Sequence, residues 1–144
     1  MSRGKVLLLT WNGVQKCVQR IRDALSDLGI QLQQVKDPDK AWRALKDDDY
    51  YALMIMSPPG FEEGCLVTRM LRERCGAPIV VLDRHFEDQV QINYYTAGAD
   101  LCMSLPFERL ELLARLTGLW RRHQTILNDE LRSSFPLARL DNAR

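Results

Sequence analysis

The chain has 144 residues, 46% of them hydrophobic and 27% charged, and a formal net charge of +1. That length suits one domain, which buries roughly two-thirds or more of its unfolded surface without staples. The near-neutral charge gives no electrostatic signature of a nucleic-acid or anionic-membrane binder, and no apolar stretch approaches the ~18 residues of a membrane span. Met1 to Lys5 leads straight into a short apolar run with no small-residue cleavage site, so no signal peptide is read and a cytoplasmic protein is expected. Cys17, Cys65, Cys75 and Cys102 show neither metal-ligand spacing nor a close pair, so no metal site is expected among them, and no cofactor is expected for the chain. They read as free thiols and small buried hydrophobes. A redox-sensing thiol is the alternative, with Cys75 best placed beside Arg72 and Arg74 because positive charge lowers a thiol pKa.

The elements follow in chain order. Val6 to Leu9 is a continuous apolar run, as in a strand buried on both faces. Val14, Cys17, Val18, Ile21, Leu25 and Leu28 recur at helical spacing, and Gly29 stops the helix. Ile30 to Val35 is a more polar strand, expected at a sheet edge. Asp37-Pro38 opens a second helix as capping acid and first-turn proline; it carries Ala41, Trp42 and Leu45 inward and ends in Asp47-Asp48-Asp49. Tyr51 to Met56 is the third strand, broken by Ser57-Pro58-Pro59-Gly60. Glu62 to Arg74 is a helix with Leu66, Val67, Met70 and Leu71 inside. Ile79 to Leu82 is the fourth strand, Phe86 to Ala97 a helix that Gly98 ends, and Leu101 to Met103 the fifth strand. Phe107 to Arg122 is the last helix, with Leu110, Leu113, Leu116 and Trp120 on its inner side.

Strictly alternating strands and helices imply a parallel sheet covered on both faces, joined by right-handed crossovers. The expected fold is a flavodoxin-like, doubly wound α/β domain: a five-stranded parallel sheet in the order 2-1-3-4-5, with five helices. Its ligand site belongs at the carboxyl ends of the strands, here Trp11-Asn12, Met56-Ser57, Asp83-Arg84 and Ser104-Leu105.

The run Gly98-Ala99-Asp100-Leu101-Cys102-Met103-Ser104-Leu105-Pro106-Phe107, followed by Glu111-Leu112-Leu113-Ala114-Arg115 and Arg121-Arg122, resembles the final strand and helix of receiver domains in OmpR/PhoB-type response regulators. Ala77-Pro78-Ile79-Val80-Val81-Leu82 and Gly64, eight residues after Met56, fit the same family, and the resemblance spans Lys5 to Arg122. It implies a CheY-like fold. Receiver chemistry uses two acids after the first strand for Mg²⁺, an aspartate nucleophile after the third, a hydroxyl residue after the fourth, and a lysine before the proline of the fifth. Carried over by position, the resemblance places Trp11 and Asn12 at the metal acids, Met56 at the nucleophile, Asp83 at the hydroxyl residue and Leu105 at the lysine. All five depart from the family pattern. A thioether forms no acyl phosphate, and no acid occurs between Tyr50 and Phe61. The resemblance therefore implies a pseudo-receiver without phosphotransfer, not an enzyme.

Two readings of the altered pocket stay open. Trp11, Met56 and Leu105 either plug the space of metal and phosphate or have drifted after the pocket lost its use. A third reading reuses the site for a small molecule, with Asn12, Ser57 and Asp83 as its polar groups. The family also pairs through its fourth helix, fifth strand and fifth helix. That places Gln91, Tyr94, Tyr95, Asp100, Leu101, Glu111, Arg115 and Arg122 at an expected homodimer face.

Residues 1–122 thus form the expected receiver-like domain and 123–134 a polar interdomain linker. Phe135-Pro136-Leu137-Ala138-Arg139-Leu140-Asp141-Asn142-Ala143-Arg144 resembles the opening of the winged-helix domain that follows such receivers, so 135–144 is read as the start of a truncated DNA-binding domain, with a disordered tail as the alternative. The function these readings imply is phosphorylation-independent dimerisation that regulates an attached DNA-binding domain, with DNA contacted only through that domain. A stand-alone protein-interaction module and a ligand- or redox-sensing domain are the alternatives.

Overall fold

The computed structural model describes residues 4–11 and 15–133, with side chains of the last helix as far as His123. The strands are β1 (Lys5–Thr10), β2 (Gln31–Val35), β3 (Ala52–Met56), β4 (Ile79–Asp83) and β5 (Leu101–Ser104). The helices are α1 (Gln15–Ser26), α2 (Pro38–Asp47), α3 (Phe61–Arg74), α4 (Asp88–Ala97) and α5 (Arg109–Ser133). All strand pairings are parallel and the sheet order is β2-β1-β3-β4-β5, as the sequence pattern implies.

The apolar runs explain the order. Every residue of β3 is buried, and so are all but the last of β4, because both are central strands with helices on each side. β2 alternates buried with half-buried and exposed residues and takes the edge. Alternation divides each strand between two cores. Val6, Leu8, Met54, Met56, Val80 and Leu82 face α1 and α5. Leu7, Leu9, Leu53, Ile55, Ile79 and Val81 face α2, α3 and α4. Each fully buried Leu, Ile or Met contributes about 1.5–3 kcal/mol, so these two layers hold the sheet.

Local signals place the helix ends. The Asp37 carboxylate accepts from the Lys40 N–H at 2.8 Å, with Pro38 opening α2. Gly29 has φ 72, the left-handed conformation that turns the chain from α1 towards β2. The Arg74 guanidinium lies 3.6 Å over the Trp42 ring, joining α3 to α2. Trp120 stacks on Tyr51 at 4.0 Å between ring centroids, fixing α5 against the start of β3.

Three expectations need correction. Leu66, expected inside, is 65% exposed, because Gly64, Val67, Thr68 and Leu71 take the inner positions of α3. Leu110, also expected inside, is 79% exposed; Leu112, Leu116 and Leu119 form the buried stripe of α5. The last helix does not end at Arg122 but continues through Ser133, so residues 123–133 of the expected linker are helical. The expected second-domain start at 135–144 lies outside the described residues.

Candidate functional site

β1, β3, β4 and β5 deliver their carboxyl ends to one edge of the sheet. Thr10 is in register with Met56, Met56 with Leu82, and Asp83 with Ser104. The Met56 side chain is 1% exposed and belongs to the core facing α1 and α5. Leu105 packs against that same core, and its N–H donates to the Asp83 carbonyl at 2.8 Å. The Leu105-Pro106 peptide is cis. Met56 and Leu105 therefore share one apolar layer where the strands end.

Trp11 does not join them. It packs against the opposite core, the one facing α2, α3 and α4, so of the three apolar residues expected to converge only Met56 and Leu105 share a layer. Asn12 lies outside the described residues. The residue beside Met56 is Thr10, one step beyond the apolar run Val6 to Leu9. Thr10 is 1% exposed, and its hydroxyl accepts from the Gln34 amide at 3.0 Å. Its signal was present: a polar residue that continues the alternation of β1 by one step.

Asp83 ends β4, and its carboxylate accepts from the Arg84 backbone N–H at 2.8 Å. It makes no cap for α4, whose N-cap residue is Glu87. Ser57 follows β3 with φ 51, a left-handed conformation uncommon outside glycine. Its N–H donates to Leu82 at 2.8 Å, which holds the turn. Cys17, Ser57, Arg84, Leu105 and Pro106 line a cleft of about 290 Å³ at this edge. The cleft offers one cation, one hydroxyl and one thiol. Among the described residues no group of three His, Cys, Asp or Glu side chains could hold a metal ion.

On the other side of the sheet, in the core facing α2, α3 and α4, Tyr94 runs inward from α4 with no exposed surface. Its hydroxyl has no hydrogen-bond partner among the described residues, and its ring meets Phe86 edge-on at 6.0 Å. A Cβ at Gly64 would lie 2.0 Å from the Tyr94 hydroxyl and 2.9 Å from Pro58, so only glycine fits that turn of α3. Burial, then the neighbouring Cys65 and Asp83, push the Tyr94 phenol well above its ordinary range. Burial also pushes the Cys102 thiol up to about 11.

The fold is that of many solved proteins. A two-component response regulator from Clostridium difficile superposes with a TM-score of 0.74 over 83% of this chain and 98% of its own, at 21% identity. A response regulator from Thermotoga maritima gives 0.75 over 84% and 99%, at 20% identity. The fold is that of response-regulator receiver domains. The receiver of the Pseudomonas aeruginosa sensor histidine kinase PA1611, solved with magnesium in its active-site cleft, is 26% identical, with a TM-score of 0.66 over 81% and 97%. No protein-family model matches the chain. Among curated proteins, the transcriptional regulatory protein HprR of Escherichia coli is 32% identical over 125 residues, 85% of this chain and 54% of its own length. Protein PetR of Rhodobacter capsulatus is 32% identical over 109 residues, 72% and 46% respectively. The chain spans about half the length of these curated relatives.

The expected dimer residues fall into three groups. Tyr95, Glu111, Arg115 and Arg122 are exposed and Gln91 and Leu101 half-buried, around the edge strand β5. Glu111 and Arg115 already face each other along α5 at 3.8 Å, and the Tyr95 hydroxyl accepts from the Cys102 N–H at 3.1 Å. Tyr94 is a correction: wholly buried, it offers no surface to a partner. Asp100 is exposed but engaged within the domain, accepting from Arg72 and from the Ile79 N–H, each at 2.8 Å. No helix among the described residues is long and apolar enough to cross a membrane.

Proposed function

We propose that this receiver regulates transcription without accepting a phosphoryl group, by dimerising and positioning an attached DNA-binding domain. The single observation that carries the reading is Met56. It occupies the end of β3 as a thioether buried in the core, where phosphoryl transfer needs a solvated carboxylate. Leu105 brings no positive charge to the facing loop, and Asp83 would repel an incoming phosphoryl group. The curated relatives support the second half. HprR is named as a transcriptional regulator, and the chain matches about half of its length. The receiver fold is also that of an atypical orphan response regulator described as having a phosphorylation-independent regulatory mechanism, at 18% identity and a TM-score of 0.67.

The dimer of this reading uses α4, β5 and α5. Leu101 gives the edge strand an apolar centre, and Arg115 and Arg122 flank a groove of about 280 Å³ with Ala114 and Gly118. A domain that takes no phosphate gains nothing from a dimer that waits for it, so the pair forms without an activating ligand, isologous and two-fold. The test is a titration with Mg²⁺ and beryllofluoride, followed by NMR. No saturable shift is expected at the strand ends. A saturable shift at Met56, Ser57 or Asp83 overturns the reading.

A second reading keeps the strand-end cleft as a small-molecule sensor. The cleft of about 290 Å³ beside Arg84, Ser57 and Cys17 favours it. Thermal-shift screening with anionic metabolites distinguishes it, since a bound ligand raises the melting temperature with concentration.

A further inference from the structure

We propose that the outer face of α3 and the adjoining turn of α4 form a second self-association surface, which pairs with the same face of another copy in antiparallel, two-fold contact. Three of the large apolar side chains left in solvent gather on these two helices: Phe61 is 42% exposed, Leu66 65% and Ile92 55%. Between the helices runs a groove of about 380 Å³ whose lining includes Phe61, Cys65, Leu66, Asn93 and Thr96. Scattered surface leucines need no explanation, but apolar residues grouped around a groove mark a contact site.

The charges on this stripe identify the occupant. Glu62, Leu66 and Arg69 are successive exposed positions on one face of α3. Neither Glu62 nor Arg69 has an ion-pair partner among the described residues. Glu62 lies about 6 Å before Leu66 along the helix axis and Arg69 about 4.5 Å after it, at about 1.5 Å per residue. Reversing a second α3 about Leu66 therefore brings each Glu62 within about 1.5 Å, along the axis, of Arg69 on the other copy. Glu73, the next exposed residue of the stripe, then flanks Arg69 from its own chain. The centre is Leu66 against Leu66, with Phe61 in the same groove and two reciprocal ion pairs at the rim. A stripe complementary to its own reversal is the signature of an isologous contact. The surface shares α4 with the dimer proposed above but not Leu101, Glu111 or Arg115, which lie on β5 and α5.

The test is sedimentation of the full chain carrying Leu101→Asp, which leaves the α3 face as the surface under study. Association at high micromolar concentration is expected to persist in that background. Leu66→Asp, at an exposed position that leaves the fold intact, should weaken it at least about tenfold. Glu62→Arg and Arg69→Glu should each weaken it about tenfold, and the two together should return it to within about threefold of the starting value. A Leu101→Asp chain that stays monomeric, an association indifferent to Leu66→Asp, or a charge swap that fails to recover it overturns the proposal.

Discussion

The Tyr94 hydroxyl occupies the space that a Cβ at Gly64 would need, 2.0 Å from where that atom would lie. One side chain from α4 thus requires a glycine in α3, and together they join the loop after β3, through Pro58, to α4. Gly64→Ala should destabilise by about 1–3 kcal/mol, although alanine is the better helix former, because overpacking outweighs propensity in a filled core. Tyr94→Phe removes a buried, unpartnered hydroxyl and should be neutral or stabilising by up to about 1 kcal/mol. In the Tyr94→Phe background the alanine should cost less, though not nothing, since Pro58 remains 2.9 Å away. Urea titration of the four proteins measures the coupling, and strict additivity would show that the contact does not matter.

Stability at alkaline pH follows from the same residue. Tyr94 has its phenol raised above the ordinary 10.0 and Cys102 its thiol raised from 9.0 to about 11, both chiefly by burial. A raised acid stays protonated in the folded state while the unfolded chain gives up its proton. The stability these groups hold is complete below about pH 9 and falls as pH rises through 9 and then 10. Melting temperatures measured from pH 7 to 11 should be level and then decline. Tyr94→Phe should flatten the part above pH 10, and an unchanged slope in that variant would assign the loss to other groups.

Asp100 should act on stability rather than on association. Its carboxylate accepts from the Ile79 N–H and from Arg72, which also donates to the carbonyls of Gly98 and Cys75. The ion pair itself is partly exposed and contributes little; the buried N–H left without an acceptor is the larger loss. Asp100→Ala should cost about 1–2 kcal/mol in urea titration and leave the dimer dissociation constant unchanged. A variant of normal stability that dissociates would return Asp100 to the interface.

The proposed α4–β5–α5 dimer has its own test. Leu101→Asp should weaken association through this face by at least about tenfold in ultracentrifugation, leaving the pairing through α3. Arg115→Ala should change it by no more than about 1 kcal/mol, since Arg115 already pairs with Glu111 along the helix.

Met56→Asp should not restore phosphorylation by acetyl phosphate, because the metal acids and the lysine are still missing. Placing a carboxylate where the native side chain is 1% exposed should also cost about 3 kcal/mol or more. Intact mass after incubation with acetyl phosphate and Mg²⁺ reads the first effect, and a melting curve the second. A stable phosphoryl adduct on the single variant would contradict the reading of the cleft.

The amino-acid sequence by itself determined the order of elements, the parallel sheet and the chemistry of the strand ends. Apolar runs and helical spacing are local properties, and so are the Asp37 cap and the turn at Gly29. Met56 and Leu105 are legible as departures because a thioether and a butyl group lack the needed charge wherever they point. Only the tertiary structure decided which face each ambiguous side chain takes. In α3 the apolar residues Cys65, Leu66, Val67, Met70 and Leu71 cover too much of the circumference to define one stripe. The neighbouring helix chose for them: Tyr94 reaches in over Gly64, turning Gly64 and Thr68 inward and leaving Leu66 in solvent. Tyr94 and Tyr95 are adjacent in sequence and equally aromatic, yet one lies in the core and the other at the edge of β5. Trp11 turned to the α2–α4 core because β1 runs one residue further, through Thr10, and each added residue of a strand reverses the face. Asp100 was charged in either view. Its partner, Arg72, lies 28 residues away, and only the folding of α3 against the α4–β5 turn brings the two together.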